Sequence, residues 1–108
     1  MKELSFKKED FSGGDYVSKF LLAAYEGNLE FLEFCLLQGF SPNLVNEKGI
    51  TPLMVASWKG KERAVRFLLD YKADPSVQDN DGNNAIDYAE AGGNENILFL
   101  LKANMPEE

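Results

Sequence analysis

From Gly49 to Leu69 the apolar positions fall into two short runs. The first passes through Leu53, Val55 and Ala56 to about Trp58. The second places Ala64, Val65, Phe67, Leu68 and Leu69 at helical spacing, with Gly60 between the two runs. Such a pattern predicts two short antiparallel helices packed through their apolar faces. The flanking residues supply the boundaries. Gly49 tolerates a turn at positive φ, the Thr51 hydroxyl can cap, Pro52 sits at the first helical position where its missing N–H costs nothing, and Gly60 is suited to a left-handed helix end. A second helix is expected to begin near Glu62.

Displacing the chain by 33 residues superimposes this pattern on both flanks. Forward, Gly49 falls on Gly82, Leu53 on Ile86, Ala56 on Ala89, Gly60 on Gly93, Val65 on Leu98 and Leu68 on Leu101. Backward, Leu53 falls on Phe20, Ala56 on Ala23, Gly60 on Gly27, Phe67 on Phe34 and Pro75 on Pro42. A fixed period of this length marks a stacked helical repeat. In the first copy Asp15 can cap a helix from Tyr16 to Glu26, with Phe20, Leu22 and Ala23 facing inward, and a second helix runs from Leu29 to Leu37 until Gly39 stops it. The loops from Phe40 to Gly49 and from Ala73 to Gly82 correspond to one another.

On these residues the chain resembles the ankyrin repeat family. Thr51-Pro52-Leu53-Met54-Val55-Ala56 stands where that family has T-P-L-H-x-A, and Leu68-Leu69 with Ala73-Asp74-Pro75 stands at its leucine pair and G-A-D entry. The likeness spans about residues 15 to 103. It implies an all-α fold, an ankyrin-repeat solenoid of three stacked helix-turn-helix units joined by two β-hairpin loops. The family histidine is replaced by Leu21, Met54 and Asp87 in the three copies, so the threonine-to-histidine bond between turn and helix must be made otherwise. The expected organisation is an N-terminal arm over 1–14, a domain over 15–103 divided into 15–46, 47–79 and 80–103, and a tail over 104–108. Phe6 and Phe11 of the arm could fold back onto the first helix. Lys102 in place of Leu69, Asn84-Ala85 in place of Thr51-Pro52, and the lack of a third loop make the last copy a C-terminal cap, with Leu100 in the core and Phe99 outside. The first copy, with Tyr16 in the place of Gly49, resembles an N-terminal cap.

Composition narrows the function. Of 108 residues, 44% are hydrophobic, enough for a packed core, and the formal net charge of −7 disfavours a general nucleic-acid binder. Histidine is absent and Cys35 is the single cysteine, so no intramolecular disulfide and no His/Cys metal set is possible. Cys35 takes the register of Leu68 and reads as a small buried hydrophobe. The opening MKELSFKKED has no apolar leader, and no run approaches a membrane span. A cytoplasmic protein is expected, or one acting inside a host cell after export by an unseen route. Charge is uneven. Six bases and two acids lie between Lys48 and Lys72, against six acids and no base between Asp74 and Glu95. This contrast is either a pair of solvated faces or a means of steering a charged partner.

No constellation for catalysis is legible. Asp79-Asn80-Asp81-Gly82 has the look of a calcium loop, but Val77 stands where an acid is required, and turn formation accounts for these residues. Asp87 and Glu90 lie one helical turn apart, a carboxylate pair without a deep pocket. The reading is therefore a non-enzymatic module without cofactor or metal, a monomer when free, that binds a partner protein. The alternative is a structural or self-associating repeat protein that uses Phe99 and the end face. Contact positions implied by the resemblance are Tyr25 and Glu26; Val45, Glu47, Lys48, Ile50, Trp58 and Lys59; and Gln78, Asn80, Asp81, Asn83 and Ala91. Tyr25 and Trp58 should lie side by side with Ile50 projecting nearby, unless Trp58 merely packs onto the next repeat.

Overall fold

Each helix of the inner layer begins where a short polar side chain takes up an orphan backbone N–H. In the computed structural model, which describes residues 15–106, α1 (Tyr16–Glu26) is capped by Asp15, whose carboxylate accepts from the Ser18 N–H at 2.7 Å. The short α3 (Pro52–Trp58) is capped by Thr51, and α5 (Ala85–Gly92) by Asn84. The outer layer consists of α2 (Leu29–Leu37), α4 (Glu62–Asp70) and α6 (Glu95–Ala103). Each outer helix packs on its inner partner, and inner helices pack side by side in the order α1, α3, α5. The sequence-based bounds of α1 and α2 agree with these ranges. Gly27, Gly60 and Gly93 all lie at positive φ where the inner helices end.

The missing family histidine is replaced by two different chemistries. Thr51 Oγ1 accepts from the Met54 N–H at 3.2 Å, and the Met54 sulfur accepts the Thr51 N–H at 3.4 Å. Asn84 Oδ1 accepts from the Asp87 N–H at 3.1 Å, and the Asp87 carboxylate accepts the Asn84 N–H at 3.0 Å. Both are reciprocal caps. The first copy does it differently: α1 starts three residues earlier than the register of α3, which is why Tyr16 is helical where Gly49 and Gly82 turn.

The core runs through the middle of the stack. Pro52 to Ser57 of α3 are all buried, with Phe20, Leu32, Val65, Leu68, Ile97 and Leu101 around them. Cys35 is fully buried in the register of Leu68. Three expectations are corrected. Leu21 rather than Leu22 is the buried leucine of α1, because the helix turns the family-histidine position toward α3. Leu100, expected in the core, is half-buried like Phe67 in the same register of α4, and Phe99 is exposed as expected. No β-strand occurs among the described residues; the two loops are runs of turns, the first closed by Asn46 N–H to Ile50 C=O and Gly49 N–H to Asn46 C=O, the second by Asp79 N–H to Asn83 C=O and Gly82 N–H to Asp79 C=O. Side-chain carbonyl oxygens organise those loops in place of a ladder. The arm over 1–14, with Phe6 and Phe11, lies outside the described residues, as do Glu107 and Glu108.

Candidate partner-binding surface

Tyr25 and Trp58 occupy the same register at the ends of α1 and α3, and packing of these two helices sets their rings beside each other. The ring centroids are 6.3 Å apart and the planes are tilted by 49°. Lys59, the next residue along, carries its ammonium over both faces, 4.8 Å from the Tyr25 centroid and 4.9 Å from that of Trp58. Both distances are within the range of cation–π attraction. Both rings are half-buried and pack against the core. Glu26 is exposed beside them. The stem of Lys61 lies against Gly27, close enough that a Cβ there would sit 3.2 Å from the Lys61 Cδ.

The third repeat continues this row without side chains. Ala91 stands in the register of Trp58 and Gly92 in that of Lys59. A Cβ on Gly92 would lie 2.3 Å from the Trp58 carbonyl oxygen. Backbone therefore meets backbone between α3 and α5, and the aromatic ledge stops at Trp58. Gly92 was not singled out in the sequence. Its signal was the pair Gly92-Gly93, of which the helix end needs only the second.

The loop tips form the other edge. Asn46 Oδ1 accepts from the N–H groups of Lys48 and Ile50 at 2.9 and 3.1 Å. This side-chain turn presents Glu47 and Lys48 to solvent. In the second loop Asp79 repeats it with its Oδ1, taking the N–H groups of Asp81 and Asn83 at 2.9 Å each. Its Oδ2 accepts the Tyr88 hydroxyl at 2.5 Å. Burial, and after it the Asp79 carboxylate, holds the Tyr88 phenol far above its ordinary titration range. A cavity of about 580 Å³ opens between the first turn of α1 (Asp15, Val17, Ser18) and the first loop (Val45 to Lys48).

Several expected contact residues are placed otherwise. Ile50 is 1% exposed and Asn83 is 7% exposed. Both are buried rather than projecting, because the side-chain turns headed by Asn46 and Asp79 draw their N–H groups inward. Asn80 is exposed but engaged between the loops: its Nδ2 donates to the Glu47 carbonyl at 2.8 Å and its N–H to that of Lys48 at 3.0 Å. Asp81, Val45 and Gln78 are exposed and Ala91 half-buried. Asp87 is engaged in the α5 cap, so the carboxylate pair with Glu90 is not two uncommitted acids. Among the described residues no three acidic, His or Cys side chains are grouped to hold a metal ion, and no helix is long and apolar enough to cross a membrane.

Helix pairs stacked side by side, with one edge of loop tips and one ledge of inner-helix ends, define a helical repeat protein, a class that works by presenting an extended surface. The family model for ankyrin repeats, in three copies, matches residues 20–107, and the chain belongs to the ankyrin repeat family. It is 42% identical over 76 residues to the ARF GTPase-activating protein GIT2 of Mus musculus, covering 69% of this chain and 11% of that protein. It is 35% identical over 74 residues to human ankyrin repeat domain-containing protein 63, covering 68% of this chain and 20% of that protein. It is 42% identical over 82 residues to the human DNA-binding protein RFXANK, covering 73% of this chain and 30% of that protein. The chain thus spans a third or less of the length of these relatives.

Proposed function

We propose that this chain is a non-enzymatic module that binds a partner protein across its inner-helix ends and loop tips, with Tyr25, Trp58 and Lys59 at the centre. Glu26, Glu47, Lys48 and Asp81 surround that centre. The observation that carries the reading is the aromatic pair under a shared ammonium. Trp and Tyr, half in the core and half in solvent, lose little freedom on binding and are the residue types that most often dominate interface energy. The position of Lys59 over both rings prearranges a charge beside that apolar ledge. Family membership supports the same use, since ankyrin repeats are generally protein-interaction modules. The net charge of −7 favours a protein over a nucleic acid as partner. One buried, unpaired thiol fits a reducing compartment such as the cytoplasm.

Affinity capture with the intact chain, followed by mass spectrometry, identifies the partner, and two variants locate its site. Trp58→Ala should weaken binding by at least about 2 kcal/mol with the fold retained. Lys59→Ala should act mainly on association rate and salt dependence. Full affinity in a folded Trp58→Ala would remove the ledge from the site and direct attention to the acidic second loop.

A further inference from the structure

The outer helices carry exposed stripes on the side away from the ledge. In α2 the exposed residues are Glu30, Glu33, Phe34 and Leu37, and in α4 the stripe at the same register is Arg63, Arg66, Phe67 and Asp70. Phe34 is 44% and Leu37 69% exposed. A shallow cavity of about 370 Å³ lies on this side of α2, lined by Asn28, Glu30, Phe31 and Phe34. Tyr71, at the end of α4, is exposed and packs against Phe67 with centroids 4.9 Å apart and planes tilted by 42°. So two adjacent helices present matching stripes: acidic with two exposed apolar residues on α2, and mainly basic on α4, where Phe67 is half-buried and Asp70 stands in the register of Leu37.

We propose that this protein forms a twofold dimer in which the α2 stripe of each copy lies on the α4 stripe of the other. A twofold axis parallel to the outer helices carries α2 onto α4 without reversing its direction. Glu30 then faces Arg63 of the second copy, Glu33 faces Arg66, Phe34 faces Phe67, and Leu37 lies at Asp70 beside the exposed Tyr71 ring. Because the interface is isologous, both halves are made at once. The charge complementarity selects a second copy as occupant: within one chain the acidic and basic stripes are side by side, and Arg66 pairs with Glu62 of its own helix rather than with an acid of α2. The Arg66 to Glu62 pair within α4, at 3.3 Å and exposed, competes weakly. Two nine-residue helices are each roughly 13 Å long, so the buried area is at the low end of specific interfaces. This sets aside the monomer expected from the sequence. It is independent of the partner-binding ledge, which stays free on the other side.

Sedimentation equilibrium of the full chain, from micromolar to submillimolar concentration, should show a reversible approach to twice the monomer mass. Glu30→Arg with Glu33→Arg in one chain, and Arg63→Glu with Arg66→Glu in another, should each weaken self-association by about 100-fold or more through like-charge contact in both halves. Mixed in equal amounts, the two variants should form a heterodimer as strong as the native dimer, since both halves are again complementary. Circular dichroism melts check that each variant is folded. Any of three results would overturn the proposal: a wild type that stays monomeric throughout, variants that associate like the wild type, or folded variants whose mixture does not pair.

Discussion

The two loops share a register but are held by different chemistry. In the second, Asp79 organises the turn and is itself fixed by the hydroxyl of Tyr88, which is 1% exposed. In the first, the neutral amide of Asn46 heads the turn, and the register of Tyr88 is occupied by Val55, which offers no hydrogen bond. One loop is anchored into its helix; the other rests on its own turn and on the Asn80 bonds to the Glu47 and Lys48 carbonyls, beside an open cavity. The difference teaches where the surface can adapt: Glu47 and Lys48 lie on the loop without the anchor. Low local stability is what binding loops draw on.

The largest expected effect sets the scale for testing this contrast. Leu68 is fully buried, so Leu68→Ala should cost about 2–5 kcal/mol in chemical denaturation and loosen both loops alike. An unchanged denaturation midpoint would contradict its place in the core. Tyr88→Phe should cost about 1.5–3 kcal/mol, because it leaves a carboxylate oxygen of the largely buried Asp79 without its donor. Its signature is local. Amide exchange should rise at Asp81 and Asn83 while Lys48 and Ile50 keep their protection, and equal loss in both loops would show that the anchor is not specific to the second. Asn80→Ala, which removes only the Nδ2 bond to the Glu47 carbonyl, should cost about 1 kcal/mol and show itself on the first loop as well. A response confined to the second loop would mean that the bridge carries no coupling.

Much of the fold was legible because the ends of the helices are local chemistry. Asp15, Thr51 and Pro52 start helices, and Gly27 and Gly60 end them, whatever the neighbours do. The 33-residue period then placed Tyr25 beside Trp58 correctly. The period says which positions correspond; it does not say how closely neighbouring backbones approach or which N–H a side chain takes. Ile50 is expected to be exposed from its register alone, whereas the local turn headed by Asn46, which the period does not specify, draws it in. Gly92 went unnoticed for a similar reason, since its role depends on the carbonyl of Trp58 in another repeat. The loops were expected as β-hairpins, but Asn46 and Asp79 satisfy the N–H groups that a ladder would have used.

The burial of Cys35 makes the first repeat its own reporter. Its thiol is fully buried, and burial raises its pKa, so in the closed protein it meets no alkylating reagent as thiolate. Labelling must wait for an opening. In a stack whose units touch only their neighbours, one unit can open without the rest. The rate of alkylation, followed against denaturant, therefore clocks that opening directly. A weak dependence marks fraying of one unit, and a steep one marks loss of the whole stack.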